Sequence, residues 1–131
     1  MFAYFVSVNT SDAELSSLPI FKNLAKFNEA KIRSKLFNGY KECLDTAQSF
    51  TADVVSQLNA SKPDEFFIQT GVNPEFGEDP SGMQSTGALN RWANNELLRL
   101  YVMSKSNKDA SGVFLTKFVV SILSKPYEKE N

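Results

Sequence analysis

The apolar positions between Ile20 and Leu58 fall at steps of three and four. Phe21, Ala25, Ile32, Leu36, Tyr40, Cys43, Ala47, Phe50, Val54 and Leu58 form one stripe, interrupted at Asn28. That spacing is the signature of an amphipathic helix. A second row, Leu24, Phe27, Phe37, Leu44 and Val55, widens the stripe and asks for more than one packing neighbour. Gly39 weakens the middle by roughly 1 kcal/mol relative to Ala. The pattern therefore predicts one long helix over 20–59, or two helices kinked near Asn38-Gly39. Lys62-Pro63 ends it, because proline disfavours helical backbone at the residue before it. Asp64 and Glu65 suit the first turn of a short helix, which Gly71 would cap.

The flanking segments are less regular. Residues 2–8, rich in Phe, Tyr and Val, fit a short strand or an apolar arm. Asn9 to Asp12 offer N-caps for a helix near 12–18, and Pro19 suits the first turn of the next. Residues 72–87 hold two prolines and three glycines and form the one long loop. Leu89, Trp92, Ala93, Leu97, Leu100 and Tyr101 predict an apolar helix face near 87–105, with Trp92 in the core. Ser106 to Asp109 reads as a turn. In 112–125 Lys117, Ser121 and Lys125 recur every four residues, which predicts a helix; the Val, Phe and Ile content predicts a buried strand instead. Residues 126–131 read as a frayed tail. The expected fold is all-α: one compact helical bundle in a single domain, built on 20–59. The alternative is α+β, with 2–8 and 113–123 as strands.

Composition removes several kinds of chemistry. The 131 residues include no histidine, so neither Ser-His nor Cys-His pairs can be built within the chain. Cys43 is the single cysteine, which leaves no internal disulfide and no thiolate zinc set. No phosphate loop, nucleophile elbow or metalloprotease motif is present, and residues 72–87 lack the spacing of a calcium loop. No cofactor and no catalytic residue are expected. Lys and Arg total 14 against 15 Asp and Glu, a balance that argues against nucleic acid as partner. No apolar run reaches the ~20 residues that span a bilayer. The apolar start has no basic segment before it, so no export signal is read. A reducing, cytoplasmic setting is expected. Asn59-Ala60-Ser61 matches a glycosylation sequon, which matters only in a secreted chain.

Charge is segregated along the chain. Residues 22–42 carry Lys22, Lys26, Lys31, Arg33, Lys35 and Lys41; residues 64–79 carry only acidic charges. A basic helix face can meet phosphates or a membrane surface, or can simply be solvated. Phe76 and Met83 are candidate anchors in the loop, with Glu78 and Asp79 beside them. The candidate partner surfaces are therefore the loop, through Phe76, Glu78, Asp79 and Met83, and the basic face, through Lys22, Lys26 and Arg33. The two could pair across a homodimer.

LAKFN at 24–28, a helical run, and then QLNASKPDEFFIQ at 57–69 resemble the phasin family, over about a third of the chain. Phasins coat bacterial polyester granules, and their pattern is a long amphipathic helix, a Lys-x-Pro-x-Glu-Phe turn and a further helix. The resemblance implies that the apolar stripe would meet the granule surface. The chain departs from the Ala-rich phasin composition with Trp92 and its Gly/Pro loop. The leading expectation is a non-catalytic protein-interaction module that binds a macromolecular partner, as an inhibitor, immunity protein, phage regulator or self-assembling subunit. The alternative is an amphipathic surface coat, phasin-like or membrane-peripheral.

Overall fold

A computed structural model describes residues 1–8, 13–72 and 96–124. The fold is α+β. Strand β1 (Phe2–Val8) is followed by helices α1 (Ala13–Ser16), α2 (Pro19–Lys22), α3 (Leu24–Ser34) and α4 (Tyr40–Ser61). Then come strands β2 (Phe66–Val72), β3 (Glu96–Lys108) and β4 (Phe114–Ser124). The strands form one antiparallel sheet in the order β1-β4-β3-β2, and α4 contacts all four. The bundle expectation is overturned by this sheet. The competing α+β reading had residues 2–8 and 113–123 as strands, and β1 and β4 lie there, paired with each other.

Helix α4 follows its stripe. Cys43, Ala47, Val54 and Leu58 are buried against the sheet, and Thr51 shares the stripe. Thr51 satisfies its buried hydroxyl by donating to the Ala47 carbonyl (2.7 Å). Each large aliphatic buried here contributes about 1.5–3 kcal/mol relative to exposure. The predicted 20–59 helix is broken twice, the second time beside the Asn38-Gly39 kink of the two-helix alternative. Asn23 separates α2 from α3, and residues 35–39 leave the helix so that Phe37 can pair with β1. The Phe2 N–H donates to the Phe37 carbonyl (2.8 Å) and the Phe37 N–H to the Phe2 carbonyl (2.9 Å). Pro19 stands in the first turn of α2, where its missing N–H costs little.

Three predicted helices are strands where described. The short helix expected from Asp64 to its cap at Gly71 is replaced by β2 from Phe66; 96–105 belong to β3; 114–124 are β4. Alternation explains the strands. Tyr4, Val6, Leu98, Leu100, Val102, Phe118, Val120 and Ile122 join the helix residues in one core, with the Phe21 and Phe118 rings 5.2 Å apart. Lys117 and Ser121, expected as a wet helical stripe, are buried instead, at 9% and 3% exposure. The β3–β4 turn runs from Asp109 to Val113 and meets the predicted 106–109 only at Asp109, because β3 continues to Lys108. The Asp109 carboxylate accepts from the Ser111 and Val113 N–H groups and the Ser111 hydroxyl, and Gly112 adopts φ +89°. Those bonds, the Ser111 hydroxyl first, hold the Asp109 carboxyl below its usual value.

Candidate functional site

An antiparallel sheet leaves two outer edges, here β1 and β2, each with a row of backbone groups that needs partners. On β1 the outward residues include Phe2 and Val6. Phe2 is closed by Phe37. Val6 is closed by a side chain: its N–H donates to Asn28 Oδ1 (2.9 Å), and Asn28 Nδ2 donates to its carbonyl (2.8 Å). The carboxamide stands where a neighbouring strand's peptide would. Asn28 is 7% exposed, so these bonds are sealed from water. Asn28 is the polar interruption of the helical stripe, and the interruption is its function.

Strand β2 repeats the device once. The Phe66 N–H donates to Asn59 Oδ1 (2.9 Å), and Asn59 Nδ2 donates to the Phe66 carbonyl (3.2 Å). Both groups of Phe66 therefore point outward. β2 and β3 keep one register from Phe66↔Ser104 to Val72↔Leu98, so Ile68, Thr70 and Val72 point their backbone groups outward as well. Among the described residues, β3 is the one strand beside β2. Ile68 is 38% exposed, and Gln69 and Thr70 are exposed. Phe66 to Val72 contains no charge, no proline and no bulge, the usual devices that protect an edge.

The ends of β2 are anchored to β3. Glu65 precedes the strand. Its carboxylate accepts from the Ser104 and Ser106 hydroxyls and from the Ser106 N–H (2.8 Å). These donors, the Ser104 hydroxyl first, pull its carboxyl from 4.5 down to about 2. Glu65 thus pins the start of β2 and is not the dipole-facing residue of a short helix. At the other end a Cβ on Gly71 would stand 2.8 Å from Tyr101 Cε2, so glycine is what lets the Tyr101 ring lie over the strand.

The predicted contact residues divide in three. Lys22, on α2, and Lys26, on α3, are solvent-exposed. Arg33 lies in α3. Phe76, Glu78, Asp79 and Met83, with the predicted loop 72–87 beyond Val72, Trp92 and the tail 126–131, lie outside the described residues. Other lysines of the basic run have structural work. Lys31 Nζ sits 5.6 Å from the Tyr4 ring and 5.5 Å from the Phe27 ring, Lys35 is 5.4 Å from the Phe37 ring, and Lys41 pairs with Asp45 at 3.0 Å. The helix that the sequence predicts after Pro63 excludes an edge at Ile68 and Thr70, which the strand pairing reveals. Its signal is a seven-residue run without charge in which five residues are aromatic or β-branched.

The perturbed groups are not poised for catalysis. Burial, and then Glu42, push the Cys43 thiol up to about 12, away from the thiolate. Glu65, held near 2, is a poor base. Burial also raises the Tyr4 hydroxyl, with Cys43 adding to it. Among the described residues no cluster of three His, Cys, Asp or Glu side chains could hold a metal ion. Among them too, no helix is long and apolar enough to cross a membrane. Compared with protein-family models, curated proteins and solved structures, the chain matches none. The phasin resemblance rests on its quoted residues alone, and β2 stands where it implies a second helix.

Proposed function

We propose that this protein is a non-catalytic protein-interaction module that takes an extended segment of a partner along the outer edge of β2. The observation that carries the reading is the difference between β1, partnered at Phe2 and Val6, and the stretch from Ile68 to Val72, which has no neighbour on its outer side among the described residues. Strand addition supplies affinity through backbone bonds and specificity through alternate side chains. The absence of histidine, the raised Cys43 thiol and the lowered Glu65 carboxyl support a non-catalytic role. The single, buried and unpaired Cys43 suits a reducing intracellular setting. The surface-coat alternative needs an exposed stripe, and the burial of Cys43, Ala47, Val54 and Leu58 favours the interaction reading over it. Lys22, Lys26 and Arg33 are proposed as separate partner contacts on α2 and α3, where α3 packs on β1 at the opposite edge of the sheet; Phe76, Glu78, Asp79 and Met83 are proposed as contacts on their sequence alone, and charge at such contacts would speed association more than it would hold the complex.

The test is selection of randomised peptides displayed on phage against the full chain. Binding of the selected peptides is then measured by fluorescence polarisation. Peptides that bind wild type and lose roughly tenfold or more in affinity with Ile68→Lys support the edge. Peptides indifferent to Ile68→Lys, or no selected binder at all, would remove it.

A further inference from the structure

Strand β1 is buried without interruption from Ala3 to Val6, and β4 from Val120 to Leu123. An antiparallel sheet with one wet face alternates buried and exposed positions; consecutive buried residues mark strands covered on both faces. The helices account for one face. Tyr4, Val6, Phe118, Val120 and Ile122 join the core there, and every described helix packs on it, through Leu15, Phe21, Phe27 and Val54 in turn. Ala3, Phe5, Ser121 and Leu123 alternate with those strand residues and stand outside that core. The register sets Ala3 beside Leu123 and Phe5 beside Ser121, so the four form one patch on the second face. Ala3 is 0% exposed, Phe5 7%, Ser121 3% and Leu123 0%, within a single chain. On an uncovered face the Phe5 and Leu123 side chains would stand in water. The chain therefore covers its own second face.

We infer that the cover is the stretch 73–95, with Trp92 seated against Phe5 and Leu123. Residues 9–12 follow Val8, at the Phe118 end of β1 and away from Ala3, and bring only Asn, Thr, Ser and Asp. Residues 125–131 follow Ser124, beside the patch, but set Tyr127 among Lys125, Glu128, Lys129 and Glu130. Residues 73–95 bring Phe76, Met83, Leu89 and Trp92. Their attachment suits the patch as well. Glu96 pairs with Leu123, so the chain entering β3 arrives beside Leu123. Trp92 stands four residues earlier, and four residues reach at most ~14 Å. Phe5 lies two residues along β1 from Ala3, the partner of Leu123, a step of about 7 Å. β2 and β3 are antiparallel neighbours, which a turn of about 2–5 residues can join. The stretch 73–95 far exceeds that and is long enough to cross the face. The sheet is then the middle of three layers, which a partner meets at an edge and not on a face. This cover does not depend on what β2 binds.

The experiment is fluorescence of the full chain, whose single tryptophan reports on itself. The expected folded emission lies to the blue of the urea-unfolded chain, and acrylamide quenches it several-fold less. Phe5→Ala should move the folded emission to the red and raise the quenching, while Val113→Ala, at an exposed apolar position, should change neither. In urea unfolding, Phe5→Ala and Trp92→Ala combined should lower the midpoint by less than the sum of their separate losses. If Trp92→Ala does not fold, the wild-type and Phe5→Ala spectra carry the test. Folded emission and quenching equal to those of the unfolded chain overturn the inference. A buried Trp92 whose spectrum ignores Phe5→Ala, with additive losses, overturns it too, because the ring then lies elsewhere. Failure of peptide binding through Ile68 removes the proposed function, and a buried, Phe5-coupled Trp92 upholds the cover beside that failure.

Discussion

The two edges of the sheet meet the same physical demand in different ways. β1 is closed at Phe2 by a short backbone bridge and at Val6 by the buried carboxamide of Asn28. β2 is closed at Phe66 by the half-buried carboxamide of Asn59 and continues through Ile68 and Thr70 with no neighbour among the described residues. An asparagine is well suited to this task. Its carboxamide offers one acceptor and two donors in a plane, the arrangement of a peptide group. The comparison teaches that an edge can be shut by one helix side chain as well as by a further strand.

Removing Asn28 should be the most damaging change at either edge. Asn28→Ala leaves the Val6 N–H and carbonyl unpaired in a site closed to water, at about 1–3 kcal/mol for each group. A loss of about 2–4 kcal/mol in urea unfolding is expected, and a loss below 1 would mean that water reaches Val6. Asn59→Ala breaks the matching pair of bonds on Phe66, but solvent can replace them. Its expected cost is about 1–2 kcal/mol, read in the same unfolding curves; equal losses at Asn28 and Asn59 would erase the distinction between the edges.

Gly71→Ala probes the end of β2 from the opposite side. The new Cβ must displace the Tyr101 ring, which is only half-buried and can swing. A loss of about 1 kcal/mol is expected, and Gly71→Ala in a Tyr101→Ala background should cost nothing further. The smallest effect belongs to Glu65 and appears only in acid. Its carboxyl lies near 2 in the fold against an ordinary 4.5. A lowered value stabilises the fold above about pH 4.5, and that contribution fades as the pH falls through about 2. Glu65→Gln should therefore flatten the dependence of melting temperature on pH between 4.5 and 2, and leave its shape above pH 5 unchanged. An unaltered acid limb would assign the dependence to other carboxylates.

Helix α4 was legible because its stripe from Cys43 to Leu58 and its Lys62-Pro63 stop both act within a few residues. Residues 64–72 misled for the same reason. Asp64 and Glu65 after a proline look like a first helical turn, and Gly71 looks like a cap. Only the distant Ser104 and Ser106 show what Glu65 holds, and only Tyr101 shows why residue 71 is glycine. The gap at Asn28 was visible, but its partner Val6 lies 22 residues away. Asn59 was visible only as part of a sequon, and its tie to Phe66 was not. In β4 the four-residue spacing of Lys117 and Ser121 mimicked a helix, while the actual strand carries a register shift near Lys117.

What the sequence determined by itself is what helical physics makes local: the buried face of α4, its end, and a chemistry without histidine. Each α-helical hydrogen bond joins residues four apart, so a short window contains both donor and acceptor. What only the tertiary structure decided is that 66–72, 96–108 and 114–124 are strands, which edge is shut, and which is open. Most of this sheet's bonds join distant stretches of chain, β1 with β4 and β2 with β3, and neither partner is in view until the sheet has formed.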